Sequence, residues 1–519
     1  MIHRLFAGRA GTTLASAVFG MALLAGAAPA HAVGGKPAVD KNTLVVALSA
    51  EPGNLDPQVA PSVDSAKYAW NVFDTLYGFD RTGQLVPRLA TAYRISDDGL
   101  TYTFTLRAGV KFQNGDAFTS ADVKYSLERV LAPATRSTRR PYFVNTVESV
   151  SAPDAHTVVF KLSQRDGAFL NKIAGYLYIV PQKYTESLPN PEAFALAPIG
   201  TGPYRVASHT VGQSLVLTRF DGFWGTKPGI ETIRYRFIAE PSSRVSALLN
   251  GEVDLSTDVS ASDAERLRSD NKVAVLSVPG GSPLHVRIYS KDPSSPFSKR
   301  DVRLALNYAI DRDAIIKSVF RGAAAPLAST IPSSYPYGSN PDLKPYPYDP
   351  AKARKLLADA GYPKGFDTSV YCAAAFPRTL CEAVAAYWSQ IGVRAQIKVV
   401  DYVAFNRINN VHQSGPLAFS EFGNAIYDPI HVIGGSVAKD GTWSDYYNPQ
   451  VQALIDKVGG ESDRGKRDAL FRQILALTHD DGEAVLIAEL RLNYLKDPSL
   501  DWQPQSAGWN LEFRSAVWK

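Results

Sequence analysis

The chain reads as an α/β protein of more than one unit, and three features carry that reading. Residues 380–391 hold a helix-length apolar pattern that stops at Gly392, and Val393, Ala395, Ile397 and Val399 then alternate as a strand. Residues 97–130 give the opposite order: a turn at Asp98-Gly99, a strand in which Tyr102, Phe104 and Leu106 alternate with Thr101, Thr103 and Thr105, and a second turn at Asn114-Gly115. Thr119, three residues before Asp122, then opens a helix with Val123, Leu127, Val130 and Leu131 on one side. At 519 residues the chain has room for roughly two to four domain-sized units.

Bulk properties narrow the class. The chain is 45% hydrophobic and 20% charged, ordinary for a globular protein, and aromatics reach 11% with tyrosine leading. Arg4 and Arg9, the small apolar run 12–28 and Ala30-His31-Ala32 read as a secretory signal cleaved after Ala32. No cysteine near that site suggests a lipid anchor, and no other stretch approaches a membrane span. Losing the two arginines takes the formal charge from +5 to +3 (5 − 2), too mild to point to nucleic acid. Cys372 and Cys381 are a disulfide candidate in an exported chain, or else two buried thiols; without histidines nearby they make a poor metal site.

In chain order, residues 43–49 form a first strand that runs into Glu51-Pro52-Gly53-Asn54-Leu55-Asp56-Pro57, a turn stiffened by two prolines. Residues 66–77 have helical spacing, and 144–162 read as two strands. Gly200-Thr201-Gly202-Pro203-Tyr204 allows close backbone approach, but no Lys-Ser/Thr follows to make a phosphate loop. Trp224, in Phe223-Trp224-Gly225, is either packing or a ligand contact, and residues 242–250 form a short helix ended by Gly251. Val278-Pro279-Gly280-Gly281 reads as a connector. Ser298 is expected to cap a helix over 300–310, Asp311 a second that ends before Gly322, and Asp349-Pro350 a third that stops at Gly361. A strand over 418–422 leads into Gly423-Asn424-Ala425-Ile426-Tyr427-Asp428-Pro429.

These motifs resemble family 5 extracellular solute-binding proteins, the dipeptide-, oligopeptide- and nickel-binding receptors of bacterial ABC importers. The likeness lies in the ungapped run 97–130, the E-P-x-x-L-D-P loop, G-T-G-P-Y, the run from Pro296-Phe297 through Asp311-Arg312, and Tyr348-Asp349-Pro350 through Tyr362. It extends from residue 43 to about 486. It implies a two-lobed periplasmic binding protein fold of class II, cluster C-like, with an extra subdomain in the first lobe. The implied bounds are 43–57, 181–283 and 487–519 for the first lobe, 58–180 for the subdomain and 284–486 for the second lobe, with 278–281 as hinge.

The resemblance also suggests ligand residues. The loop of Glu51 and Asn54 lies at the cleft mouth in the family. In peptide-binding members an aspartate of a D-x-x-D-P-like run pairs with the peptide ammonium; here Asp428 matches the second aspartate, and Ala425 stands where the first would be. Asn424 offers dipoles but no charge. Arg378 could face a ligand carboxylate, and Tyr427, Trp443, Tyr446 and Tyr447 are cleft aromatics or packing residues.

Catalytic patterns do not assemble. Gly280-Gly281-Ser282-Pro283-Leu284 lacks the last glycine of a nucleophile elbow, no H-E-x-x-H occurs, and Asp97-Asp98 and Asp480-Asp481 fall in turn or helix-end contexts. The expected function is therefore a periplasmic receptor, monomeric and without cofactor or metal, that captures a peptide or peptide-like solute and delivers it to an inner-membrane ABC permease. An opine, another amino-acid conjugate or a metal complex is a variant of that reading. A secreted hydrolase is the alternative from a different class, to be recognised by Asp428, Asp445 and a histidine converging on one point.

Overall fold

The computed structural model describes residues 40–59, 63–413, 415–423, 425–508 and 510–519; the expected export signal and Asn424 lie outside them. Its largest sheet aligns Val393–Val400, Phe366–Ala373, Leu417–Glu421, Ala274–Ile288, Ala484–Lys496, Leu255–Ser256, Thr43–Leu48, Thr232–Phe237, Ser214–Arg219 and Tyr204–Thr210, with Ala324–Pro326 added beside Ala484–Lys496. Ala274–Ile288 and Ala484–Lys496 pair antiparallel from Ala274↔Lys496 to Arg287↔Ala484. One end of this crossing pair belongs to each half of the molecule.

The residues expected to form a connector sit inside the first crossing strand. Pairing is interrupted between Pro279 and Pro283. Proline lacks the ladder N–H, and Gly281 takes φ +71°, so the strand bulges there without breaking. An added Cβ on Gly281 would meet the Ala507 backbone at 2.6 Å, so the C-terminal tail closes over the bulge.

Each half has its own apolar core. Leu44, Val46, Tyr68, Phe73, Leu217 and Ile233 build the first, joined by Tyr494, Trp502 and Phe513 of the tail. Tyr102, Phe104, Val158 and Phe160 carry that core into a four-stranded antiparallel sheet, ordered Ala90–Ile95, Thr101–Leu106, Thr157–Leu162, Val147–Asp154. Leu284, Val286, Leu306, Trp388 and Val485 build the second core, and Val432, Ile433, Phe471 and Ile474 a smaller one beneath it.

Most helix starts follow the local sequence. Asp122 accepts from the Thr119 N–H at 2.8 Å to complete the box that opens Ser120–Leu131. Asp311 and Asp349 accept from the N–H groups of Ala314 and Lys352 at the starts of Arg312–Ser318 and Pro350–Asp359. Arg300–Tyr308 begins after Lys299 instead of Ser298. Ser295 caps a short turn over Pro296–Ser298, and the Ser298 hydroxyl donates back to its carbonyl at 2.8 Å.

The first helix spans Val63–Val72 and stops short of residue 77. Asp74 accepts from Thr201 Oγ1 and Trp224 Nε1 at 3.0 Å each and pairs with Arg514, which draws the chain out of the helix. Trp224 is thereby a packing residue with its N–H satisfied. The same corner explains Gly200-Thr201-Gly202, because Cβ atoms on the two glycines would lie 2.1 Å from the Val72 carbonyl oxygen and 2.7 Å from its carbon. Gly200→Ala is expected to lose about 1–3 kcal/mol of stability through that overlap, measured by urea unfolding against the parent protein.

Candidate ligand-binding cleft

The two halves meet along a seam centred on residues 425–428, just after strand Leu417–Glu421. Tyr427 adopts φ 51°, unusual for a side chain other than glycine, asparagine or aspartate. This backbone turn sends its ring out of the second half and into the first core, where it is 1% exposed and 4.7 Å from the Phe79 ring. Gly83 and Gly508 form the slot: added Cβ atoms would stand 2.3 Å from Tyr427 Cδ1 and 1.7 Å from its hydroxyl. The hydroxyl donates to Gln505 Oε1 at 3.3 Å, and burial pushes its pKa well up. Asn171 Nδ2 donates to the Ile426 carbonyl at 2.8 Å, and the Gly167 N–H to the Gly459 carbonyl at 2.8 Å, which extends the seam.

The next residue is fixed to the second half. Asp428 caps helix Pro429–Ser436 through Oδ1 and the Ile430 N–H at 2.9 Å. Arg467 Nη2 donates to both carboxylate oxygens at 2.7 and 2.8 Å, and the Tyr337 hydroxyl donates to Oδ2. Burial opposes the Arg467 charge, but Asp428 and Tyr337 outweigh it and raise the guanidinium pKa. Asp428 is 0% exposed, with both oxygens engaged by Arg467. Expected among the ligand contacts, its carboxylate is held by Arg467, Tyr337 and the helix cap.

Aromatic rings line both sides of the seam. Tyr142 and Tyr176 of the first half stack at 4.3 Å, with the Arg139 guanidinium 4.9 Å over Tyr176. His431 lies 5.9 Å from Tyr142 and 5.2 Å from Phe422, whose ring meets Trp443 edge-on at 5.1 Å. Burial first, then the Arg139 and Lys172 charges, lower His431 to about 4, so its ring is neutral at pH 7. Rings from both halves thus make one wall, with a cation on the first-half side. A closed wall of this kind can grip an organic solute by stacking and shape.

The other expected residues lie elsewhere. Glu51 accepts from His209 Nε2 at 2.6 Å and the Gly212 N–H at 2.7 Å, which ties its loop to the hairpin of Tyr204–Thr210 and Ser214–Arg219. Asn54 Oδ1 accepts from the Asp56 N–H at 2.7 Å. Arg378 begins helix Arg378–Gln390, with its side chain 80% exposed and paired with Glu382. That position turns it toward solvent. Tyr446 donates to Asp481 at 2.7 Å, and Tyr447 is 49% exposed with Lys439 5.8 Å over its ring. Ala425 is exposed beside Gly175, and Trp443 is half-buried in the ring wall. Cys372 and Cys381 are joined across the turn between Phe366–Ala373 and Arg378–Gln390, with Cα atoms 6.5 Å apart.

Asp445 pairs with Arg287 at 3.0 Å and His412 at 2.9 Å, whereas Asp428 is committed to Arg467, so the two carboxylates serve different clusters. Among the described residues no group of three His, Cys, Asp or Glu is placed to hold a metal ion. Sequence reasoning had passed over Arg139, Tyr142, Tyr176, Phe422 and His431. The usable signals were local: Phe422 directly follows a strand, and His431 stands two residues inside a helix opened by Asp428-Pro429.

Residues 84–443 match the family model described as bacterial extracellular solute-binding proteins, family 5. A glutathione-binding protein of Pectobacterium atrosepticum is 31% identical over 463 residues, covering 86% of this chain and 88% of the relative. Among solved structures, the Helicobacter pylori periplasmic binding protein in complex with the peptide STSA superposes with a TM-score of 0.79 at 26% identity, covering 92% of this chain and 98% of the other. The agropinic acid complex of AgaA from A. tumefaciens R10 gives 0.77 at 26% identity, covering 92% and 99%.

Gly508→Ala is expected to keep Tyr427 out of its slot. It should weaken every ligand by a common factor, about tenfold for each 1.4 kcal/mol of closure lost. Calorimetric titration of two unrelated ligands checks this, since a variant acting at one ligand group would not weaken both alike.

Proposed function

The chain belongs to the family 5 bacterial extracellular solute-binding proteins, and from that premise we propose that its cleft captures a short peptide or peptide-like amino-acid conjugate for an inner-membrane ABC permease. The observation that carries this reading is the ring wall of Tyr142, Tyr176, Phe422, His431 and Trp443, contributed by both halves and adjacent to the Tyr427 plug. A solute held between such walls favours the closed form, because it gains contacts there that the open form lacks. Closure seats Tyr427, and the closed shape is what the permease reads. Binding is non-covalent, with no reaction following.

The similarity to a glutathione-binding relative supports a thiol tripeptide or a solute of that size as the first class to test. Ala425, in place of an acidic residue, and the likeness to the agropinic acid receptor favour a second reading, an opine-type conjugate. In this proposal the protein works in the periplasm as a monomer, after cleavage behind Ala32.

Native mass spectrometry of the exported protein reads any co-purified solute, and thermal-shift screening then ranks glutathione, dipeptides and opines. A ligand at 100 times its Kd is expected to stabilise the protein by about 2.7 kcal/mol. Chemical turnover of a bound solute by the purified protein alone would contradict the receptor reading.

A further inference from the structure

The strands Ala274–Ile288 and Ala484–Lys496, which cross between the halves, border a cavity of about 650 Å³ whose lining includes Glu265, Arg268, Ser277, Arg321, Arg491 and Asn493. Ser277 and Asn493 are register partners, and Arg491 stands two positions along the same strand, so the three share one face of the crossing pair. Glu265 and Arg268 come from the end of helix Ala261–Leu267, whose Ala264 and Leu267 pack with Ala47 and Leu248 of the first half. Arg321 comes from the turn between Arg312–Ser318 and Ala324–Pro326, and Phe320 beside it packs in the second core. The Arg491 N–H donates to the Ala323 carbonyl at 3.1 Å, which holds that turn against the crossing strand. The cavity therefore takes one wall from each half and its floor from the strands that join them.

Its charge is unbalanced, because three arginines line it against one glutamate. Arg268 Nε donates to Glu265 at 3.0 Å. The Arg491 guanidinium donates to the Ser277 hydroxyl and carbonyl at 2.9 and 2.5 Å, and these neutral acceptors leave its charge uncompensated. The Arg321 side chain has no polar partner among the described residues. Glu489, the next acidic side chain on the strand of Arg491, is engaged by the Gly281 N–H and the Ser334 hydroxyl. Like charges gathered around one cavity repel, and an anion that enters removes that cost. Guanidinium groups arriving from three elements suit a tetrahedral oxyanion, which has acceptor oxygens on every side, whereas a planar carboxylate offers only one edge.

We propose that this cavity binds a phosphate-type oxyanion, and that the bound anion ties the two halves together across the crossing strands. The site is separate from the ring wall and does not depend on which solute is captured there. An anion and a solute that favour the same arrangement of the halves strengthen each other's binding by one common factor.

Calorimetric titration of the purified protein with inorganic phosphate and with glycerol phosphate, at an ionic strength held constant with sodium chloride, tests the site. One saturable site is expected. Arg321→Gln and Arg268→Gln are each expected to weaken it about tenfold or more, the effect of losing a charge-assisted hydrogen bond. Arg321→Gln is expected to keep the parent's melting temperature, since that side chain gives up no partner. Arg266→Gln, on the same helix but paired with Asp263 and outside the cavity lining, is expected to bind as the parent does. Tighter binding of glycerol phosphate assigns the site to a phosphate ester, and tighter binding of inorganic phosphate to the free ion. Absence of saturable binding, or an equal loss in Arg266→Gln, overturns the site.

Hydrogen–deuterium exchange at residues 274–279 and 488–493 reads the tie. Phosphate is expected to slow exchange there in the parent protein and to leave it unchanged in Arg321→Gln. Saturable binding without that protection overturns the tie between the halves.

Discussion

The buried pair of Asp428 and Arg467 is the interaction on which the seam depends. Both side chains are almost wholly withdrawn from water, and Tyr337, the Ile430 N–H and two backbone carbonyls add further hydrogen bonds to the pair. Such a pair adds little net stability over an apolar replacement, but removing one member strands the other and costs about 3–5 kcal/mol. Its effect is positional. It fixes the base of residues 425–428 to the second half, which lets Tyr427 project as a rigid plug into the first.

A plug on one half and a slot on the other give closure a defined end point. In the proposed closure the crossing strands would bend at the bulge between Pro279 and Pro283, where pairing is interrupted. Gly83 and Gly508 keep the slot open only to a ring that arrives in one orientation, so the halves have one good way to meet. In the proposed closure, the movement that seats Tyr427 would also assemble the ring wall beside it. Affinity and closure are in this way linked through contacts that need not touch the solute.

Local chemistry was legible in the sequence and long-range pairing was not. The caps at Thr119, Asp311 and Asp349, the strand alternation of residues 101–106 and the backbone approach at Gly200-Thr201-Gly202 depend on neighbours a few residues away or on the lack of a side chain. Family-like motifs placed the fold and drew attention to residues 423–429. The sequence could not say that Asp428 would be taken by Arg467, 39 positions later. Nor could it say that Tyr142 and Tyr176 would face His431 across the seam. Ser298 was displaced as a cap by a competitor three residues upstream, and a glycine-proline connector became a bulged strand because its partner strand ran on through it.

The account stands on the Tyr427 plug being made when the halves close on a solute. Hydrogen–deuterium exchange followed at residues 79–84, 425–428 and 505–508, on protein stripped of solute and then saturated with a bound peptide, reads this directly. The account predicts that all three segments gain protection together on saturation, while the four-stranded sheet of the first half is unchanged. Identical exchange at these segments with and without the solute would contradict it.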